Sequence, residues 1–591
     1  MERGYIPNRQ QLMIRLQLRP LAASAATLAT LTEAIALWWG GDLSFMATPS
    51  PHPTLSAIGH CHNLLLQEAG APVFDAAFID QQSVDGVDIL WLPTHQHLPQ
   101  AMHQYSVRQV LVGLREHTTA PELAAFLGNT AGRLRQHYFR CVLPPSDASI
   151  AILAAMHDLE VDILPIAGDV IQLGQGSNGH LLHASSVEQN SVIGATISEM
   201  KYLSFQRLKM AGIPTPETYP TQTTDQAEQI ASSIKGPMIV KPEAGNRGEG
   251  VHTHLVSVAE LTDAIALAID ASKISIALVQ PQLKGQCHRL QVMNERVVRA
   301  TTRFPKSVVG NGLDTVKELV MRANKQLETM VERRRLKEFP LDTQTQRALS
   351  LQGVDEHTVI AKGQRIVLRT VTSVRDGGAA EDIIDVLHPA NVTIAIEAAK
   401  ACHLACAGVD FFSEDPSVPW YENGGMILEV NVKPQIVNRP SDRLNPARDG
   451  LLIDGLRQQA NKIAIHLFVG STEAERLARN QQAALIAAGQ LAWCVTADGI
   501  FTPEGSTRPL HKDGLAATVL TCFGNPRVDA LCLVVGEWGQ HLALPINHMT
   551  SLQTRDVLML GPPHPRWHGV LTRLQAVPLI DPTASTHAMS R

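Results

Sequence analysis

The chain has 591 residues and a formal net charge of −6, from 50 Lys and Arg against 56 Asp and Glu. Such a balance excludes a general nucleic-acid binder, which needs a strong basic excess. The length exceeds one ordinary core, so about two to four domains are expected. No apolar run reaches the length of a membrane span, and the first residues lack the apolar core of a secretory signal. The eight cysteines have no ribbon or finger spacing, so a reducing, cytoplasmic setting is expected, with no membrane or nucleic-acid partner.

Three blocks follow along the chain. In residues 1–165 an Ala/Thr/Leu run over 21–37 reads as a buried helix. The stretches 87–92 and 109–114 read as strands of an α/β domain. His95, His97 and His103 read as surface or structural histidines. In residues 166–458 a helix is expected over 191–210, stopped by Gly212 and Pro214. A strand over 238–241, a helix over 259–271 and strands over 277–280 and 289–298 follow. This α+β alternation suits two subdomains closing on a ligand. The charge run at 332–338 reads as a solvated helix face, and Cys402 and Cys406 as packing residues. In residues 459–591 a strand over 463–469, a helix over 473–488 and a strand over 491–495 are expected, with a disordered tail from about 581.

Two distant stretches carry chemistry. After the 238–241 strand come Lys241, Gly245, Asn246, Arg247, Gly248 and Gly250. Glycines permit positive φ and let backbone N–H groups crowd an anion. Lys241 adds a point charge, so the segment suits phosphate. It is neither a P-loop, since no Gly-Lys-Ser/Thr follows, nor a dinucleotide fingerprint. The second stretch holds Asp410 at the end of an apolar run, then Glu429 and Asn431. Glu429 and Asn431 are two apart on one strand and so share a face. Three oxygen donors of this kind suit magnesium completed by phosphates. Arg369, closing the apolar run after Arg365, could stabilise charge on a transferring phosphoryl group.

In order, these residues resemble the ATP-grasp superfamily, and within it the cyanophycin synthetases. Gly174-Gln175-Gly176, the helix around Lys201, Gly212-Ile213-Pro214, Val309-Gly310-Asn311-Gly312, Gly377-Gly378 and His388-Pro389-Ala390-Asn391 extend the likeness. It implies that Lys201 and Lys241 are the two ATP lysines, with Gln280 at the adenine hinge. It implies a catalytic Arg369, and Asp410, Glu429 and Asn431 as ligands of two magnesium ions. Gln280 departs from the glutamate usual in that family, and Gln435 from its glycine.

The third block resembles the opening of a Mur-ligase-like domain. Its phosphate turn is lost, because no lysine remains and Glu473 and Glu475 would repel a phosphate. The implied architecture is an N-terminal α/β domain, a central ATP-grasp domain and a truncated, degenerate Mur-ligase-like α/β domain. This is similar to the second, shortened type of cyanophycin synthetase. The implied activity is ATP-dependent joining of β-aspartyl-arginine dipeptides, through an acyl phosphate, in a homodimer or higher homo-oligomer. The substrate is a peptide or dipeptide with a free carboxylate and a free amine. An ATP-grasp ligase making a small glutathione-like peptide and a non-catalytic nucleotide-binding scaffold are the alternatives.

Overall fold

Near the N-terminus, alternating apolar residues make Leu12–Leu18 and Asp88–Thr94 central strands, paired antiparallel from Leu12↔Thr94 to Leu18↔Asp88. Arg3–Gly4 and Phe78–Asp80 flank them. Helices Ala25–Trp39, Pro53–Glu68, Gln100–Glu116 and Ala120–Cys141 share one core with this sheet, including Ile35, Leu65, Leu90, Val107 and Leu127. The structure is a computed structural model. It describes residues 3–4, 12–18, 25–39, 52–80, 88–94, 98–143, 145–244, 250–329, 338–339, 341–369, 378–436, 444, 446–458, 460–469, 472–512, 514–535 and 557–559.

The helix expected over 21–37 and the strand expected over 87–92 are present. The strand expected over 109–114 is not, because those residues lie inside the helix Gln100–Glu116. Met102, Ser106, Val107, Val110 and Gly113 are buried at helical spacing, so the apolar run is the end of a longer stripe. His103 is fully buried and structural, 3.1 Å from His62 Nε2 and 2.9 Å from Thr94 Oγ1. His95 and His97 lie outside the described residues.

Contacts gather the chain into two units, one of Ser185–Gly455 and one of Met1–Ala184 with Leu456–Arg591. Residues 166–184 therefore lie with the ends of the chain rather than with the central block. The reason is a set of long-range bonds: Gln175 N–H donates to Asn461 O, Ser177 N–H to Val528 O and Gln172 Nε2 to Phe523 O. The C-terminal part is α/β as expected. Ala464–Val469 pairs parallel with Ala530–Val535, which pairs parallel with Ala492–Thr496. The helix Thr472–Ala487 packs against these strands. The tail from 581 and the charge run up to Lys337 lie outside the described residues.

In the unit Ser185–Gly455 the helix expected over 191–210 is two helices, Val192–Glu199 and Lys201–Met210. Met200 is extended between them, with φ −110° and ψ 105°. The break exposes a fresh helix N-terminus at Lys201. A four-stranded antiparallel sheet runs in the order His252–Leu255, Met238–Pro242, Ala277–Pro281, Tyr219–Thr221. Helix Val258–Ala271 covers it, started by a capping box between Ser257 and Glu260.

The strand expected over 289–298 is instead a hairpin of Gln286–Met293 and Arg296–Phe304. Asn294 and Glu295 both have positive φ, 47° and 61°, as a primed two-residue turn requires. The hairpin sits in a five-stranded sheet ordered Ala379–Asp382, Arg296–Phe304, Gln286–Met293, Cys406–Ser413, Met426–Asn431. One face, with Leu290, Val292, Val409, Phe411, Ile427 and Val430, packs into a core under helix Pro389–Ala401. Cys402 and Cys406 are both buried, as packing residues.

Alternation sends the intervening residues to the opposite face. Cross-strand register lines them up in three rows: Arg303, Cys287 and Phe412; Thr301, Arg289, Asp410 and Glu429; Arg299, Gln291, Gly408 and Asn431. A bulge between Asp410 and Phe411 lets Glu429 stand opposite Asp410 while Ile427 stays opposite Phe411.

Candidate active site

Lys241 lies on the strand Met238–Pro242, opposite Leu278 on the neighbouring strand. The helix Lys201–Met210 is tied to that strand in three ways. Tyr202 N–H donates to both oxygens of Glu243, at 3.0 and 2.9 Å. Lys201 Nζ donates to Glu243 O at 3.3 Å. Lys241 Nζ lies 4.7 Å from the centre of the Phe205 ring. Glu243 is buried, and burial raises its carboxyl above the usual range against the pull of Tyr202 N–H, Lys201 and Lys241. It caps the N-terminus of the helix Lys201–Met210 beside two lysines, whose charges suit a polyphosphate. Glu243 is a site residue the sequence reading passed over. A carboxylate between a strand-ending Lys-Pro and a glycine segment was the available signal.

Gly250 ends the glycine segment with φ +68°. A Cβ there would lie 2.8 Å from both Ala271 Cβ and Pro242 Cγ, so backbone and packing each require glycine. Gly245, Asn246, Arg247 and Gly248 lie outside the described residues. Gln280 is buried on the strand beside Lys241's, paired with Ile239, and its Nε2 donates to Thr218 Oγ1 at 2.7 Å.

The acidic residues meet on the polar face of the five-stranded sheet. Asp410 and Glu429 are cross-strand partners. Arg289, opposite Asp410 on the other side, holds it through Nε at 2.6 Å and Nη2 at 3.0 Å. Gly408 makes room for this arginine, since a Cβ there would lie 2.5 Å from Arg289 Nη1. Asn431 Nδ2 donates to Gly408 O at 3.3 Å, leaving its side-chain oxygen to accept or ligate.

Among the described residues no three His, Cys, Asp or Glu side chains form a self-sufficient metal cluster. Two carboxylates and an amide oxygen on neighbouring strands still fit magnesium, which takes one or two carboxylates and completes its shell with water and phosphates. Arg289 uses two of Asp410's lone-pair sites and leaves others.

The phosphate-side and acidic residues feel one another. Burial pulls Lys241 down to about 8. Glu429, Glu243 and Asp410 oppose that shift, and Lys201 adds to it. Two stretches separated by well over a hundred residues thus meet in one electrostatic neighbourhood. A testable consequence concerns pH. Above about 8 the free protein has lost the Lys241 proton, whereas a bound polyphosphate favours the charged form. Nucleotide binding must then take up a proton. Affinity should be level below that point and weaken above it by up to about tenfold per pH unit. Calorimetry in two buffers of different ionisation heat, at about pH 9 and about pH 6.5, measures the uptake. Lys241→Arg should flatten the slope.

Arg369 stands apart from this group. Its Nη1 and Nη2 donate to Asp342 at 3.0 and 2.7 Å, and Nη1 also to Thr345 Oγ1 at 2.5 Å. It belongs to a small subdomain in which Ser307–Val309 pairs with Arg365–Val367 beside a core of Val316, Leu349, Ile366 and Leu368.

No family model matches the chain. The cyanophycin synthetase of Geminocystis herdmanii (strain PCC 6308) is 32% identical over 267 residues, 45% of this chain and 30% of that protein. That of Nostoc sp. (strain PCC 7120 / SAG 25.82 / UTEX 2576) is 28% identical over 338 residues, 56% of this chain and 37% of that protein. The glutathione biosynthesis bifunctional protein GshAB of Clostridium perfringens (strain 13 / Type A) is 28% identical over 291 residues, 49% of this chain and 37% of that protein. The matches thus span about a third of the length of these curated relatives. A bifunctional glutathione synthetase from Pasteurella multocida superposes with a TM-score of 0.40 at 20% identity, over 61% of this chain and 52% of that one.

Proposed function

Taking the chain as a relative of the cyanophycin synthetases over about half its length, we propose that it is an ATP-dependent carboxylate–amine ligase. Its substrates are β-aspartyl-arginine dipeptides, joined into a polymer. What supports this reading is a cross-strand pair of carboxylates, Asp410 and Glu429, whose charges act on Lys241 beside Lys201 and Glu243. A carboxylate is a poor electrophile. Its oxygen attacks the γ-phosphorus of ATP, the bond to the leaving ADP breaks, and an acyl phosphate results. An amine then attacks the acyl carbon, phosphate leaves with the electron pair, and the nitrogen loses a proton.

In this reading Lys201 and Lys241 hold the phosphates. Asp410, Glu429 and Asn431 hold magnesium, which when bound neutralises charge on the phosphoryl oxygens. Arg369 reaches the transferring group only after leaving Asp342.

The C-terminal part supports a single active site. The helix Thr472–Ala487 opens with Glu473, held by Arg476 Nε at 2.9 Å, so a carboxylate stands where a phosphate would dock. Residues 470 and 471, in the former phosphate turn, lie outside the described residues.

ADP release with β-aspartyl-arginine alone, and a ladder of products one dipeptide apart by mass spectrometry, is the expected result. Turnover only with γ-glutamylcysteine and glycine would move the assignment to the chemistry named for the second group of relatives. ATP binding without turnover on any acid would leave a scaffold.

A further inference from the structure

We propose that Thr218 is a positioning residue: it locks the Gln280 side-chain amide in one sense, so that the nucleotide site selects a base with an exocyclic amino group. This rests on the nucleotide-binding part of the reading above. Gln280 is 3% exposed, and its Nε2 donates to Thr218 Oγ1 at 2.7 Å. Thr218 Oγ1 in turn donates to Pro216 O at 2.8 Å. A hydroxyl has one hydrogen, and a carbonyl can only accept. With that hydrogen committed to Pro216 O, Thr218 offers Gln280 nothing but a lone pair. The amide must therefore turn its NH2 toward Thr218 and its oxygen away. Among the described residues that oxygen accepts no hydrogen bond.

Register decides which groups share a face with Gln280. It stands opposite Ile239, and Leu278 stands opposite Lys241, where Ala277–Pro281 pairs antiparallel with Met238–Pro242. Met238, Val240, Ala277 and Val279 point the other way, into the core under helix Val258–Ala271. Alternation therefore puts Ile239, Lys241, Leu278 and Gln280 together on the opposite face. Lys241 is the diagonal neighbour of Gln280, about 7–8 Å away between backbones. Lys201 and Glu243 gather at the Lys241 end. The strand stops at Pro242, so along it the sheet face continues from Lys241 only toward Ile239 and Gln280. A nucleotide with its phosphates at Lys241 extends its base along that face.

The sense of the amide selects the base. An outward oxygen accepts from the amino group of a 6-amino purine and repels the oxygen of a 6-oxo purine. An amide free to turn over would present its NH2 instead and admit the 6-oxo base. A glutamate accepts through either oxygen and needs no such lock. Thr218 matters because residue 280 is a glutamine, whose two ends differ only in chemistry and are nearly equal in shape. The neutral amide also places no charge in a buried position.

The test uses the full chain and magnesium, and compares by calorimetry the Kd of ATP with that of inosine triphosphate, which carries a 6-oxo group in place of the amino group. The wild type should prefer ATP by about 100-fold, because inosine sets one acceptor against another. Thr218→Val keeps the shape and removes the lock, and the preference should fall to about tenfold or less. Thr218→Ser keeps the hydroxyl and should hold the preference within about twofold of wild type. A merely structural threonine would weaken both nucleotides alike. An unchanged ratio in folded Thr218→Val, or a wild type indifferent to the base, therefore overturns the proposal. Thr218 is only partly buried, and Thr218→Ala gives the same reading should the valine variant fail to fold. The expected ratios in a protein that releases no ADP with any acid would sink the ligase reading and keep this one.

Discussion

Glu429→Gln is expected to lower turnover by about 10³-fold while leaving the melting temperature nearly unchanged. The two effects separate because Glu429 does its work on charge rather than on packing. Its carboxylate has no hydrogen bond or ion pair to any described residue, and the strand is held instead by backbone register to Asp410 and by buried Ile427 and Val430. Glutamine keeps the length and shape, so the sheet has no reason to shift. What disappears is a full negative charge where magnesium and the phosphates must meet, and several kcal/mol of transition-state stabilisation with it. A second readout follows from Lys241. Glu429 is the largest single charge holding the lysine's proton on. Without it the free-protein midpoint should fall below about 8, and the proton uptake on nucleotide binding should begin at a lower pH. Steady-state assay, thermal melting and buffer-dependent calorimetry check the three parts. Wild-type turnover in the variant, or an unmoved onset of uptake, would remove Glu429 from the site.

Much of this neighbourhood was legible in the sequence, because its signals are local. Lys241 and Asp410 each close a short apolar run, though their strands continue to Pro242 and Ser413, and Glu429 and Asn431 sit two apart with Val430 between. Strand alternation alone puts that pair on one face. The misreadings share a cause, that a short apolar run has no unique period. Val110 and Val112 suggest a strand, but the stripe from Met102 makes them helical. The run from Arg289 to Val298 looked continuous, yet Asn294 and Glu295 carry a primed turn with a glutamate in place of the usual glycine. Arg289 was not legible as a candidate site residue. Its part depends on which strands become neighbours: it matters because register sets it opposite Asp410, across a gap in sequence of more than a hundred residues. The unit boundary at Ser185 was hidden for the same reason, since the bonds of Gln172, Gln175 and Ser177 run to residues far along the chain.

Arg289→Met should destabilise the central unit by about 3–5 kcal/mol, a cost set by what it leaves behind rather than by what it removes. Both side chains of the pair are nearly out of water, Arg289 at 10% and Asp410 at 11% exposure. Methionine fills much of the arginine's volume with apolar atoms, and Asp410 then carries a buried charge with no counter-ion. Asp410→Asn strands the guanidinium in the same way. Removing both should cost less than the sum of the two single changes, with a coupling energy of about 1–3 kcal/mol. Magnesium gives the cycle a functional arm. In the wild type the guanidinium already neutralises Asp410, so the ion stabilises the fold only by its own binding. In Arg289→Met the ion is the sole cation Asp410 can find, and the magnesium-induced rise in melting temperature should exceed that of the wild type. Gly408→Ala offers a milder version, because its Cβ would sit 2.5 Å from Arg289 Nη1 and 3.1 Å from Pro434 Cβ, pressing the arginine off its partner. Equal magnesium shifts in wild type and Arg289→Met would place the ion away from Asp410 and return that carboxylate to a purely structural part.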